Sequence, residues 1–75
     1  MKAEQIAEQA DMIVAGYAYK VHGDYIEVVD LSNTEKRAVI QHGDVIESVM
    51  SDEEDDQALM YYLRNREILE EAVGA

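Results

Sequence analysis

His22-Gly23-Asp24-Tyr25-Ile26-Glu27 is followed twenty positions later by His42-Gly43-Asp44-Val45-Ile46-Glu47, so one turn-then-strand phrase occurs twice in a chain of 75 residues. Gly-Asp between extended segments is a two-residue hairpin loop in which glycine supplies a positive φ. The repeat therefore predicts two β-hairpins of related design. With Gly23-Asp24 as the first loop, Val21 pairs with Ile26, Tyr19 with Val28 and Lys20 with Glu27. The apolar pairs then share one face and the ion pair takes the other. A one-residue slip would set Lys20 against Ile26 and bury charge, so the register is well constrained.

Working outward, Leu31-Ser32-Asn33-Thr34-Glu35 is a polar break, with Asn33 suited to a left-handed conformation. A third strand is expected over residues 36–41, with Arg37 able to reach Asp30 across the connection. The fourth, over residues 45–50, has two open registers: Gln41 with Ile46 and Val39 with Ser48, or Ile40 with Ile46 around a longer loop.

Ala3, Ile6, Ala7, Ala10, Ile13 and Val14 recur at helical spacing and predict an amphipathic helix over residues 2–14, stopped by Gly16. At the other end, Ser51-Asp52-Glu53-Glu54 has the form of a capping box. Beyond it Leu59, Tyr62, Leu63, Leu69, Ala72 and Val73 form a stripe, predicting a helix over residues 52–73 that ends at Gly74. The expected fold is one α+β domain: N-terminal helix, three- or four-stranded antiparallel meander, C-terminal helix, with both helices on one sheet face.

Composition narrows the function. There are 17 acids against 6 Lys plus Arg, a net charge of −11 that repels phosphate backbones and anionic lipid alike. Direct nucleic-acid or membrane binding is disfavoured. No cysteine is present, which removes disulfides, thiolate metal sites and cysteine nucleophiles, and fits a reducing, cytoplasmic setting. The opening residues lack the apolar run of a signal peptide or a membrane span, so a soluble, unprocessed chain is expected. At this length a core is small, and homodimerisation would add buried surface.

Four sets of residues invite functional readings. His22, Asp24, His42 and Asp44 have the donor types of a transition-metal site, but hairpins two strands apart place equivalent positions roughly 10 Å from each other. Solvated turns are the simpler account, so no metal or other cofactor is expected. Asp52, Glu53, Glu54, Asp55 and Asp56 suit the positive end of a helix dipole and lack the ligand spacing of a calcium loop. Glu67, Glu70 and Glu71 oppose the dipole at the far end, only partly offset by Arg66 at i,i+4 from Glu70. Tyr61 and Met60 lie off the apolar stripe; exposed together, they would form an apolar patch in an acidic surface.

No serine can be joined to a histidine base, no glycine-rich phosphate loop exists, and so thin a domain has little volume for a pocket of roughly 300 Å³. Enzymatic activity is not expected. These features favour a non-catalytic module that binds a basic protein partner, or itself, through Asp52, Glu53, Asp55, Asp56, Tyr61, Glu67, Glu70 and Glu71. A nucleic-acid mimic, with carboxylates at phosphate-like spacing, is the alternative, and a metal-binding domain built on the two turns is the second.

Overall fold

In the computed structural model the hairpin around Gly23-Asp24 has the expected register, with Tyr19 opposite Val28, Lys20 opposite Glu27 and Val21 opposite Ile26. The structure describes residues 3–74, with side chains for residues 3–71. The elements run α1 (Ala3–Gln9), β1 (Met12–Val14), β2 (Tyr17–His22), β3 (Tyr25–Asp30), β4 (Arg37–Gln41), β5 (Asp44–Ser48), α2 (Asp52–Arg64) and α3 (Arg66–Gly74). The protein is α+β, and its sheet is an antiparallel meander in the order β1-β2-β3-β4-β5.

Five strands replace the expected three or four because the first helix is shorter than its apolar spacing implied. It ends at Gln9, and Met12–Val14 pair with Tyr17–Tyr19 as an edge strand. Ala15 and Gly16 both have positive φ, 52° and 83°, the signature of a tight type I′ hairpin loop. Alanine rarely adopts that conformation, so the loop is poorly marked in the sequence. Ile13 and Val14 fit a helix by spacing, but they are β-branched and pack well on a pleated surface.

The two His-Gly-Asp phrases do not fold alike. In the first, His22 closes β2 opposite Tyr25, and only Gly23 of the loop pair has a positive φ. In the second, His42 and Gly43 are themselves the loop, with φ of 55° and 79°, and Gln41 pairs with Asp44. Ile40 then faces Val45, while Val39 faces Glu47, so Ile46 is an extra residue in a β-bulge. Neither register left open by the sequence holds along the whole hairpin. The alternative pairing of Val39 with Ser48 would have turned Ser48 to the wrong side; the bulge instead sets it opposite Ala38, facing α2.

One sheet face carries the main core. Tyr17, Tyr19, Val28, Ala38 and Ile40 pack against Ala58, Tyr62 and Leu69 of the C-terminal helices. The buried Tyr19 hydroxyl donates to the Ala58 carbonyl at 2.7 Å, pinning α2 to the sheet centre. Ala18 and Val29 are buried on the opposite face and line a shallow cavity with Ile6 and Ala10. The helices thus do not share one face: α1 shields part of the second. Strand alternation requires this, since Ala18 and Val29 point away from their buried neighbours Tyr19 and Val28.

The predicted 52–73 helix breaks at Asn65. Its φ is −113°, its backbone N–H is shared between the carbonyls of Tyr61 and Tyr62, and its side-chain amide donates to Tyr61 O at 2.9 Å. An asparagine amide competing for backbone acceptors is a physical reason for such a bend. The expected stripe members Ala72 and Val73 lie outside the described side chains, and the Gly74 stop lies at the limit of the described backbone. No described helix is long and apolar enough to cross a membrane.

Candidate functional site

The capping box at the start of α2 is present in full. Ser51 Oγ accepts from the Glu54 N–H at 3.2 Å, and a Glu54 carboxylate oxygen accepts from the Ser51 N–H. Lys36 Nζ donates to the same carboxylate at 3.0 Å. The hydrogen bonds from Lys36 and Ser51 hold the Glu54 carboxyl below its usual range, and the same pairing raises the Lys36 ammonium. The helix start is therefore fastened to the β3–β4 connection. Nearby, Asp30 is lowered mainly by the Ser32 hydroxyl it accepts from. It does not meet Arg37, which pairs with Val29 and so faces the other side of the sheet.

Those bonds divide the acids by role. Glu54 closes the cap and Asp55 accepts from Ser48 Oγ, so both are tied inward. Asp52, Glu53 and Asp56 stand exposed and make no ion pair among the described residues. At the other end Glu70 accepts from Arg66 Nε at 3.1 Å in a solvated i,i+4 pair, while Glu67 and Glu71 are exposed and make no ion pair among the described residues. Of the acids proposed to meet a partner, Asp55 is the one committed to holding the fold.

Between and beside these two acidic groups lie apolar side chains. Met60 is 38% exposed, Leu63 49% and Ile68 59%. Asp52, Glu53, Asp56, Met60 and Leu63 fall on the face of α2 opposite the buried Ala58 and Tyr62, at the three- and four-residue spacing of one helical side. Leu63, expected in the core stripe, is outside it. Tyr61 departs from expectation in the other direction: it is half-buried against the core, its ring 6.4 Å from that of Tyr17. It is no exposed anchor. Ile68 went unnoticed in the sequence because the bend at Asn65 resets the helical phase.

The two His-Gly-Asp turns lie at one end of the sheet, where they border a cleft of about 560 Å³ with Tyr62, Arg66, Leu69 and Glu70. The cleft is larger than the roughly 300 Å³ that so thin a domain is expected to lack room for, with the turns on one side and residues of α2 and α3 on the other. Asp24 and His42 reach it, but His22 does not. His22 stacks on Tyr25 with ring centroids 5.1 Å apart, and its Nε2 lies 3.4 Å from Glu27 on the other sheet face. Asp24 accepts from Gln41 Nε2 at 3.2 Å, and Asp44 faces Gln41 across the strand pair. His22, Asp24, His42 and Asp44 therefore do not converge. Among the described residues no three His, Cys, Asp or Glu side chains are grouped to hold a metal.

No curated protein and no solved structure matches the chain. A family model described as "Family of unknown function (DUF7723)" matches residues 1–69, which spans all five strands, α2 and the first part of α3. The chain, with its five-stranded meander and bent C-terminal helix pair, belongs to that family of unknown function.

Proposed function

We propose that this protein is a non-catalytic interaction module whose outer α2–α3 face receives a basic segment of another protein. The observation that carries the reading is the exposure of Met60 and Leu63 between two sets of acids, and of Ile68 beside Glu67 in the second, with Asp52, Glu53, Asp56, Glu67 and Glu71 making no ion pair among the described residues. Large apolar side chains gathered at a surface cost free energy in water, and acids with no internal partner contribute little to the fold that holds them. Both features find a use when a partner covers them.

The mechanism has two parts. Asp52, Glu53, Asp56, Glu67 and Glu71 attract Lys or Arg side chains over about a Debye length and orient the encounter. Met60, Leu63 and Ile68 then enter apolar recesses of the partner, and their desolvation supplies the affinity that charge alone does not. The interruption of the acids by apolar residues favours this reading over a nucleic-acid mimic, which needs carboxylates in unbroken succession.

Affinity capture from native lysate at low and at high salt tests the proposal. A specific protein retained at low salt and weakened at high salt is the expected outcome. No specific protein at either ionic strength, or one displaced by competing DNA, would refute it, the second result supporting the mimic instead.

A further inference from the structure

The sheet face that carries α1 is only partly covered. Seven residues of helix are about 10 Å long, enough to shield Ala18 and Val29 but not the β4–β5 half of the same face. There Val39, Glu47, Arg37 and Val49 line a shallow cavity of about 240 Å³ with Glu27. Val49 is 69% exposed and Ile46, extruded by the bulge, 56%. Arg37 is exposed and has no ion pair among the described residues, on a chain with 17 acids. Two carboxylates of its own face, Glu27 and Glu47, lie one residue row away across the strands.

We infer that this bare half-sheet binds a second copy of the chain about a two-fold axis, with Arg37 of each copy meeting Glu47 of the other over a Val39–Val49 contact. A surface holding both a cation, Arg37, and a carboxylate, Glu47, that make no ion pair among the described residues is complementary to itself, as a two-fold interface requires. The shape agrees. Stacked sheets lie about 10 Å apart and a helix with its side chains is about 10–12 Å across, so α1 of one copy fills the layer beside the β5 edge of the other.

Net charge does not forbid the pairing. The acidic α2–α3 face lies across the sheet from this surface. Two such faces would stand some 20 Å or more apart, beyond two Debye lengths at physiological salt. The footprint is small: three strands five residues long cover roughly 14 by 17 Å, well under the ~800 Å² per partner of a permanent complex. The dimer therefore forms and dissociates with concentration.

Sedimentation velocity on the full chain tests this at physiological salt, where the acidic faces are screened from each other, from about 10 µM to about 500 µM, a range suited to a weak interface. The mass is expected to rise from 8.5 kDa toward twice that value. R37E and E47R should each weaken the dimer at least tenfold, and the R37E/E47R double change should restore it. Both side chains are exposed, though Arg37 stands opposite the buried Val29, and circular dichroism verifies that each variant is folded. A monomer throughout, a dimer indifferent to either single change, or a failure of the double change to restore it would overturn the inference. None of these variants touches the α2–α3 face, so the outcome is independent of the proposed partner binding.

Discussion

Replacing Tyr19 by Phe removes one oxygen from the centre of the molecule. The side chain is 0% exposed, and its hydroxyl donates to the Ala58 carbonyl 39 residues away. A buried neutral hydrogen bond contributes a net ~0.5–1.5 kcal/mol. The loss is not larger because the Ala58 carbonyl lies within α2 and keeps a helical acceptor role, while the phenyl ring retains the contacts of the phenol. The expected cost is therefore about 1 kcal/mol, which in a domain of this size lowers Tm by roughly 4–8 °C. Thermal and urea unfolding followed by circular dichroism would measure it, with the urea slope unchanged.

Tyr62→Phe is the internal control. Tyr62 is also buried and packs on Tyr19 with ring centroids 6.5 Å apart, but its hydroxyl makes no hydrogen bond among the described residues. That change should stay within about 0.5 kcal/mol. Equal effects at the two positions would refute the assignment of the Tyr19 hydroxyl as the tie between helix and sheet. The pH dependence supplies a second readout. Burial raises the Tyr19 phenol above its ordinary value of 10.0, so the folded state holds the proton more tightly than the unfolded state. Its stabilising contribution is complete below pH 10 and declines as pH rises beyond it. Tyr19→Phe should therefore flatten the alkaline limb of the stability curve.

Further consequences follow from the turns and the cap. Ser51→Ala removes the side-chain acceptor of the capping box and should cost about 1 kcal/mol in urea unfolding. Ala15→Asn keeps the positive φ at lower strain and should stabilise the protein by about 0.5–1 kcal/mol, raising Tm; a loss instead would place residues 12–14 outside the sheet. The Glu54 carboxyl is lowered below its ordinary 4.5 by Lys36 and Ser51, so that pairing stabilises the fold above this pH and is lost as pH falls through the folded value. Lys36→Met should accordingly leave a shallower acid limb in a pH series of Tm.

The parts of the fold legible in the sequence were those where two physical requirements coincide. Between Tyr17 and Asp30, alternation and the loop glycine both select one register, because any slip buries Lys20 or Glu27. At Ser51 and Glu54 the cap needs both residues at that spacing. Residues 10–16 satisfied only one requirement: Ile13 and Val14 fit helical spacing, and the hairpin loop opens on an alanine with positive φ. The second His-Gly-Asp phrase misled for a related reason, since identical letters place the loop one residue earlier and a bulge absorbs the difference. In the candidate site, the exposure of Asp52, Glu53, Asp56, Glu67 and Glu71 agrees with the charge pattern. The apolar members did not follow from it: within α2 Tyr61 turns toward Tyr17 and Leu63 away from Ala58 and Tyr62, and the bend at Asn65 resets the phase that places Ile68 in solvent. That bend depends on the asparagine amide competing for the Tyr61 carbonyl.

The central claim is that the outer α2–α3 face recognises a partner through apolar anchors set among acids. Capture from native lysate by the wild-type chain, run beside a Met60→Ser/Leu63→Ser/Ile68→Ser variant of identical charge, tests it most directly. The account predicts at least one protein retained by the wild type and lost from the variant, with the variant still folded by circular dichroism. Identical sets of retained proteins would mean that charge alone governs the surface, and would contradict the claim.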